Sequence, residues 1–351
     1  MILGGAAAVG ASFVAVRVAD STAPASPNEV PLSFDSIALP TSDFDATNGI
    51  SPFTTPVGEH YVIDTAFRKP EIDSATYTLT IGGPFVDREL TLSYDDLLAR
   101  EHITHQLALV GVSNPVGGDL VGNAVWTGVS LTALLDEAGI DDPTNPERQI
   151  FSTSVDGYTA GFRAPLAYDG RTGMVALAMN GEPLPVEHGF PARLLVNGLY
   201  GYTSSTKWLE RIDVNDFATN DGFWIPRGWA KEAPVKTQSR IDSPSDSTDL
   251  VAGPQTISGV AWAPGRGVDA VEVGIADARG TEDTAWFEAE LGDVESNETW
   301  VQWRYEWDAP EGDWTLQVRA TDGEGVTQSE EVVPTAPDGA EGFDMTFIRT
   351  T

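Results

Sequence analysis

The 351-residue chain has no cysteine. Disulfides, iron–sulfur clusters and cysteine-ligated zinc are therefore excluded. Positive charge is scarce: 20 Lys and Arg stand against 53 Asp and Glu, a formal net charge of −33. Such an excess keeps a chain soluble by self-repulsion but destabilises its compact state unless salt screens it. Molar salt shortens the screening length to about 3 Å. The acids are spread along the chain rather than gathered in a tail, the pattern expected of a halophile's protein. They also argue against binding nucleic acid or anionic lipid through the general surface. No apolar run reaches the roughly 20 residues needed to span a bilayer. "MILGGAAAVGASFVAV", residues 1–16, comes nearest; no basic segment precedes it, and Arg17 and Asp20 end it. It reads as the remainder of a membrane helix whose start is missing, so the expected protein is membrane-anchored, with its soluble domains outside the cytoplasm. Residues up to 45, rich in Ser, Pro, Asp and Thr from residue 20, read as an exposed linker.

What is present is enough for two substantial cores: 41% of residues are hydrophobic and ten are Trp. Over 46–243 the pattern is mixed. "TYTLTIGG" (76–83) puts Tyr77, Leu79 and Ile81 on one face of a strand. "LTLSYDDLLAR" (90–100) passes from strand to helix at Ser93, a fitting N-cap with Asp95 and Asp96 in the first turn. "WTGVSLTALLDEAGI" (126–140) repeats this with Ser130 as cap and Gly139 as stop. Strands are expected at 149–154 and 192–196, giving an α+β domain with short helices. After Pro244 the grammar changes to alternating runs such as "VDAVEVGIAD", "WVQWRYEWD" and "WTLQVRATD", broken by Gly, Asp and Pro turns. Residues 244–351 are thus expected to form an all-β sandwich. From residue 241 onward there are 24 acids, five arginines and no lysine. That domain shows no catalytic grouping, and packing or oligomerisation is its expected role.

One charge anomaly lies between these regions. Residues 188–240 hold seven cations, Arg193, Lys207, Arg211, Arg227, Lys231, Lys236 and Arg240, against five acids. Cations retained in so acidic a chain point to an anionic ligand, most simply phosphate; for Arg211 alone an ion pair is the better reading. His102 and His105 form an HxxH without a third ligand nearby. No GxSxG elbow occurs, and "VGGDLVG" (116–122) is neither a Walker loop nor a dinucleotide fingerprint. Asp156 alone reads as a turn aspartate.

Taken in order, "ISPFTTPVGEHYVIDT" (50–65), "LVGVSNPVGGDLVGNAVWTGVSLTALLDEAGI" (109–140), "SVDGYTAGF" (154–162), "MNGEPLPVEHGFPARLLVNGLYGYTSSTKWLERI" (179–212) and "FWIPRGWAKEAPVKTQSRID" (223–242) resemble the sulfite oxidase family of molybdopterin enzymes. The resemblance is nearest to prokaryotic members that carry membrane helices ahead of the molybdenum domain. It implies a sulfite-oxidase-type α+β domain followed by an immunoglobulin-like dimerisation sandwich. It also implies a mono-pyranopterin molybdenum–molybdopterin cofactor and two-electron oxygen-atom transfer on a small substrate. No haem domain is expected in this chain, and the electron acceptor is unspecified. Carried over position by position, His188, Arg193 and Lys207 would hold the pterin and its phosphate. Tyr202 to Thr206, including Ser204 and Ser205, would add hydroxyls and amides. Asp156 would lie by the metal's equatorial oxygen ligand, and Tyr61 and His60 would line the pterin and the approach to the metal. Asn114, with Gly117 and Gly118, would shape the floor. Asp156, Tyr61 and Tyr202 are the catalytic candidates.

Three departures stand out. Where the family reads Cys-Val-Ser-Asn this chain reads Gly111-Val112-Ser113-Asn114, and glycine offers no ligand atom to a metal. Val62, Ile63 and Asp64 occupy the stretch where eukaryotic-type members bind sulfite with arginine and histidine. Asn197 replaces a frequent proline, expected to alter only a turn. Four readings of Gly111 follow. A water or oxo ligand replaces the thiolate; or the protein binds cofactor without turnover; or the pocket is empty and the chain is a structural module; or the glycine is a single-base departure from a cysteine codon.

Overall fold

The structure is a computed structural model that describes residues 37–279 and 283–351. The membrane-helix expectation falls on residues 1–16, outside the described residues. Among the described residues no helix is long and apolar enough to cross a membrane. The end of the linker is anchored. Phe44 is buried, and Asp45 Oδ1 accepts from the Phe53 amide and from Gln302 Nε2.

Four sheets build the molecule. In the first, strands run in the order Leu90–Ser93, Thr78–Gly82, Leu209–Asp216, Arg148–Ser154 and Thr159–Arg163. In the second, Ile103–Val110 pairs with Val121–Ser130, which pairs with Gly173–Met179; Arg193–Val196 also pairs with that last strand. Leu79, Ile81, Leu131, Leu134, Leu135, Leu194 and Ile212, all fully buried, belong to the core of this α+β domain. The helices are short and capped as their sequences dictate. Ser93 and Asp96 form a reciprocal capping box at the start of Tyr94–Leu98. Ser130 caps Leu131–Ala138, and Gly139 ends it in the left-handed region at φ 74°.

The remaining two sheets form the sandwich. One orders Gln238–Ser243, Gly253–Trp262, Trp300–Ala309 and Glu290–Leu291; the other orders Thr248–Leu250, Asp344–Thr350, Gly312–Asp322, Val268–Asp277 and Ala285–Glu288. Its first strand thus begins ahead of Pro244. Trp303, Val271, Val273, Leu316 and Val318 fill its core. The alternation in 300–307 holds for Val301 and Trp303, but Gln302 on the opposite face is also buried. The 43–53 segment covers it: Gln302 Nε2 donates to Asp45 Oδ1 and the Ser51 carbonyl.

The two domains are joined by polar groups that find partners across the junction. Trp300 Nε1 donates to the Phe53 carbonyl, and Glu298 accepts from the Thr172 amide and hydroxyl, 2.7 Å each. Asn197 does more than alter a turn. It is fully buried, and its Nδ2 donates to the Glu298 carbonyl, 101 residues away in sequence. This seam fixes the loops at the ends of the first-domain strands, where the site lies.

Candidate functional site

A cavity of about 420 Å³ opens where those loops converge. Its floor comes from Gly111, Val112 and Ser113, following the strand Ile103–Val110. One wall is the 61–65 segment, another the turn from Ser154 to Tyr158, and Ala336 arrives from the C-terminal domain. His188, Arg193, Ser205 and Lys207 lie together on the remaining side. The three pterin-side residues therefore meet in one pocket. Gly189 makes this approach possible. Its φ is 113°, and a Cβ there would stand 3.0 Å from Lys207 Cα. Trp208, also on the lining, has φ 51°, a conformation that costs a bulky residue on the order of 1–3 kcal/mol.

Arg193 is the electrostatic centre. It is 8% exposed, and Ser205 Oγ accepts from its Nε at 3.0 Å and its Nη2 at 2.8 Å. Among the described residues no carboxylate pairs with it, and burial pulls its guanidinium down to about 10. A buried, uncompensated cation is costly and calls for an anion. The setting is rare in this chain. Among the described residues every Lys and Arg except Arg68, Arg193 and Arg227 lies within 4.0 Å of a carboxylate. Lys207 touches Asp64 and donates to the Glu187 carbonyl, and burial lowers its pKa to about 7. His188 is held neutral, its pKa pushed down to about 4 by burial and the Arg193 charge, and its Nε2 lies 3.1 Å from the Val57 carbonyl.

The cation cluster read from the sequence is thus divided. Arg193, Lys207 and Arg227 line the cavity. Arg211 pairs with Asp213 and Glu89, Lys231 with Asp221, Lys236 with Asp338 and Glu341, and Arg240 with Asp242. Lys236 and Arg240 serve the domain seam, not a ligand.

Of the other candidates, Tyr61, Gly111, Asp156, Tyr202 and Ser205 line the cavity. The Tyr61 hydroxyl has no protein partner among the described residues, and burial raises its pKa to about 12. Asp156 is exposed at the rim, and its Oδ1 accepts from the Tyr158 amide, closing an aspartate turn. Tyr202 donates to the Ala230 carbonyl, and Tyr158 donates to the Tyr202 carbonyl. Three candidates stand behind the lining. His60 is buried against Trp126 and His188, with Nε2 unpaired. Asn114 Oδ1 accepts from the Leu120 amide, which closes the 111–120 loop. Ser204 turns its hydroxyl to the carbonyls of Leu199 and Tyr200. His102 and His105 diverge, toward the Leu97 carbonyl and Glu298 respectively, and no metal-binding cluster of His and carboxylates occurs among the described residues.

At Gly111 the missing side chain is not an open gap. A Cβ there would meet Ile63 Cδ1 at 3.0 Å and Leu120 Cβ at 3.4 Å. Hydrocarbon crowds the position a Cβ would take. Sequence reading missed Tyr158, Trp224 and Trp229 as lining residues; aromatic spacing alone carries no signal that separates lining from core.

Residues 66–224 match the model of the oxidoreductase molybdopterin binding domain family. The chain is 30% identical to mitochondrial sulfite oxidase of Homo sapiens over 307 residues, covering 76% of this chain and 55% of that protein. It is also 30% identical to the NADPH nitrate reductase of Phytophthora infestans over 194 residues, covering 49% of this chain and 21% of that protein. The chain spans about half the length of the curated relatives it matches. The sulfane dehydrogenase SoxCD from Paracoccus pantotrophus superposes with a TM-score of 0.70 at 21% identity, covering 94% of this chain and 93% of that one. Residues 66–224 thus match an oxidoreductase molybdopterin binding domain, in a chain similar in sequence to sulfite oxidase and in fold to SoxCD.

Proposed function

We propose that the protein binds a phosphorylated pterin carrying molybdenum and works as a two-electron, oxygen-atom-transferring oxidoreductase on a small substrate. The observation that carries this reading is Arg193, a buried guanidinium with no carboxylate partner among the described residues, on the wall of a 420 Å³ cavity. When bound, the cofactor supplies the redox chemistry; the chain supplies position and electrostatics. Arg193 offers Nη donors to a phosphate, and Ser205 Oγ, accepting from Arg193, keeps its own proton for the same anion. Neutral His188 adds no charge and Lys207 is paired with Asp64, so Arg193 is the positive charge on this side left for a phosphate. Tyr61 presents an un-ionised phenol that can donate a hydrogen bond to a ligand oxygen. The pterin side of the site therefore fits its group, whereas residue 111 supplies no soft ligand to the metal.

A second reading is favoured by Ile63: its methyl against Gly111 suits a protein that keeps the pterin and has given up turnover. Both readings take the sandwich as a homodimer interface, the chain as membrane-anchored and its medium as high salt, in keeping with a net charge of −33. Protein purified from a host that makes the cofactor decides between them. Fluorescent pterin released near one per chain, with molybdenum and activity toward an artificial electron acceptor, supports the enzyme. Pterin without turnover supports the second reading, and the absence of pterin overturns both.

A further inference from the structure

We propose that Arg227 is the anion-recognising residue at the mouth of the cavity, and that the substrate is an organic anion with an apolar body rather than a bare inorganic oxyanion. This rests on the cavity being the substrate site of the reading above. In a chain with 53 acids, Arg227 has no carboxylate within 4.0 Å among the described residues. Arg68, the other exposed cation of this kind, lies outside the cavity; Arg227 is on its lining. Arg227 is also held in place. Its Nη1 donates to the Phe223 carbonyl at 2.5 Å and its guanidinium carbon sits 3.7 Å above the Phe223 ring. Phe223 in turn meets Trp224 edge-on at 5.2 Å and Tyr158 at 5.8 Å. The remaining N–H groups have no protein acceptor among the described residues, leaving a planar fork for a carboxylate, sulfinate or sulfonate.

The other charges of the pocket do not compete for this role. Arg193 lies deeper, Lys207 is matched by Asp64, and Asp156 turns one carboxylate oxygen to the Tyr158 amide. The lining that Arg227 shares includes the apolar surfaces of Trp224, Trp229, Val62, Ile63, Val112 and Ala336. An inorganic anion would leave these surfaces facing water, whereas an apolar body covers them while its charged end reaches Arg227.

Isothermal titration of the full chain at fixed ionic strength, with pterin content measured on the same preparation, tests this. The probes are 4-toluenesulfonate, neutral 4-toluenesulfonamide and inorganic sulfate. Toluenesulfonate is expected to bind saturably and more tightly than sulfate. Arg227→Gln should weaken it at least tenfold without changing toluenesulfonamide binding, and Trp229→Leu should weaken toluenesulfonate but not sulfate. Equal toluenesulfonate binding by wild type and Arg227→Gln, sulfate binding as tightly as toluenesulfonate, or no toluenesulfonate binding at all would overturn the proposal. Arg227-dependent binding to pterin-free protein would support this site and count against the cofactor reading; pterin-loaded protein without that dependence would do the reverse.

Discussion

Gly111→Cys and Ile63→Val are expected to be coupled in their effects on stability. The ideal Cβ at residue 111 lies 3.0 Å from Ile63 Cδ1, tighter than ordinary van der Waals contact, and 3.4 Å from Leu120 Cβ. The first of these atoms is the tip of a flexible side chain, so the overpacking cost belongs at the low end, about 1 kcal/mol. Replacing glycine also removes unfolded-state freedom, which offsets about 0.4–1 kcal/mol of this. Ile63→Val deletes the offending methyl; alone it costs about 0.5–1.5 kcal/mol. In the Gly111→Cys background the same deletion relieves the clash, so the double variant should be more stable than additivity predicts by about 1 kcal/mol. Urea denaturation of the four proteins in one buffer measures this coupling. Because the chain has no other cysteine, one equivalent of a thiol reagent should label the introduced thiol through the cavity. Additivity within about 0.5 kcal/mol would refute the claim that Ile63 fills the place of the missing side chain.

Three further outcomes follow from the structure. His188 has a folded pKa near 4, below its ordinary 6.5, so its contribution is complete above pH 6.5 and is lost as pH falls toward 4; the shift is on the order of 3 kcal/mol. His188→Asn should flatten the stability profile over that interval, leaving the part due to His60, which burial shifts the same way; an unchanged slope in chemical denaturation would contradict the assignment. Trp303→Ala, in the middle of the sandwich core, should cost about 3–5 kcal/mol, read from the shift in denaturation midpoint. Light scattering in high salt should show two chains per particle through the sandwich, where Trp286, Trp307 and Trp314 are only half-buried; monomer alone at micromolar concentration would contradict the dimer.

How much is legible in the sequence depends on range. The caps at Ser93 and Ser130 and the stop at Gly139 are local, and each forms as its own neighbours dictate. Strands expected at 76–83, 149–154 and 192–196 appear as Thr78–Gly82, Arg148–Ser154 and Arg193–Val196 for the same reason. Counting charges over 188–240 finds Arg193 and Lys207 but does not say which cations have partners. Lys207 meets Asp64 across 143 residues and Lys236 meets Asp338 across 102. Ile63 against Gly111 and the carboxylate-free setting of Arg227 are likewise properties of the folded surface. Alternation alone turns Gln302 toward solvent, and a distant segment buries it.

The central claim is that Arg193 is the counter-charge of a bound phosphate. A crystal structure of protein purified from a cofactor-producing host tests it most directly. The expected result is density for a phosphorylated pterin, with a phosphate oxygen about 2.7–2.9 Å from an Arg193 Nη and another beside Ser205 Oγ. Water alone beside Arg193, or a pterin bound with its phosphate elsewhere, would contradict it.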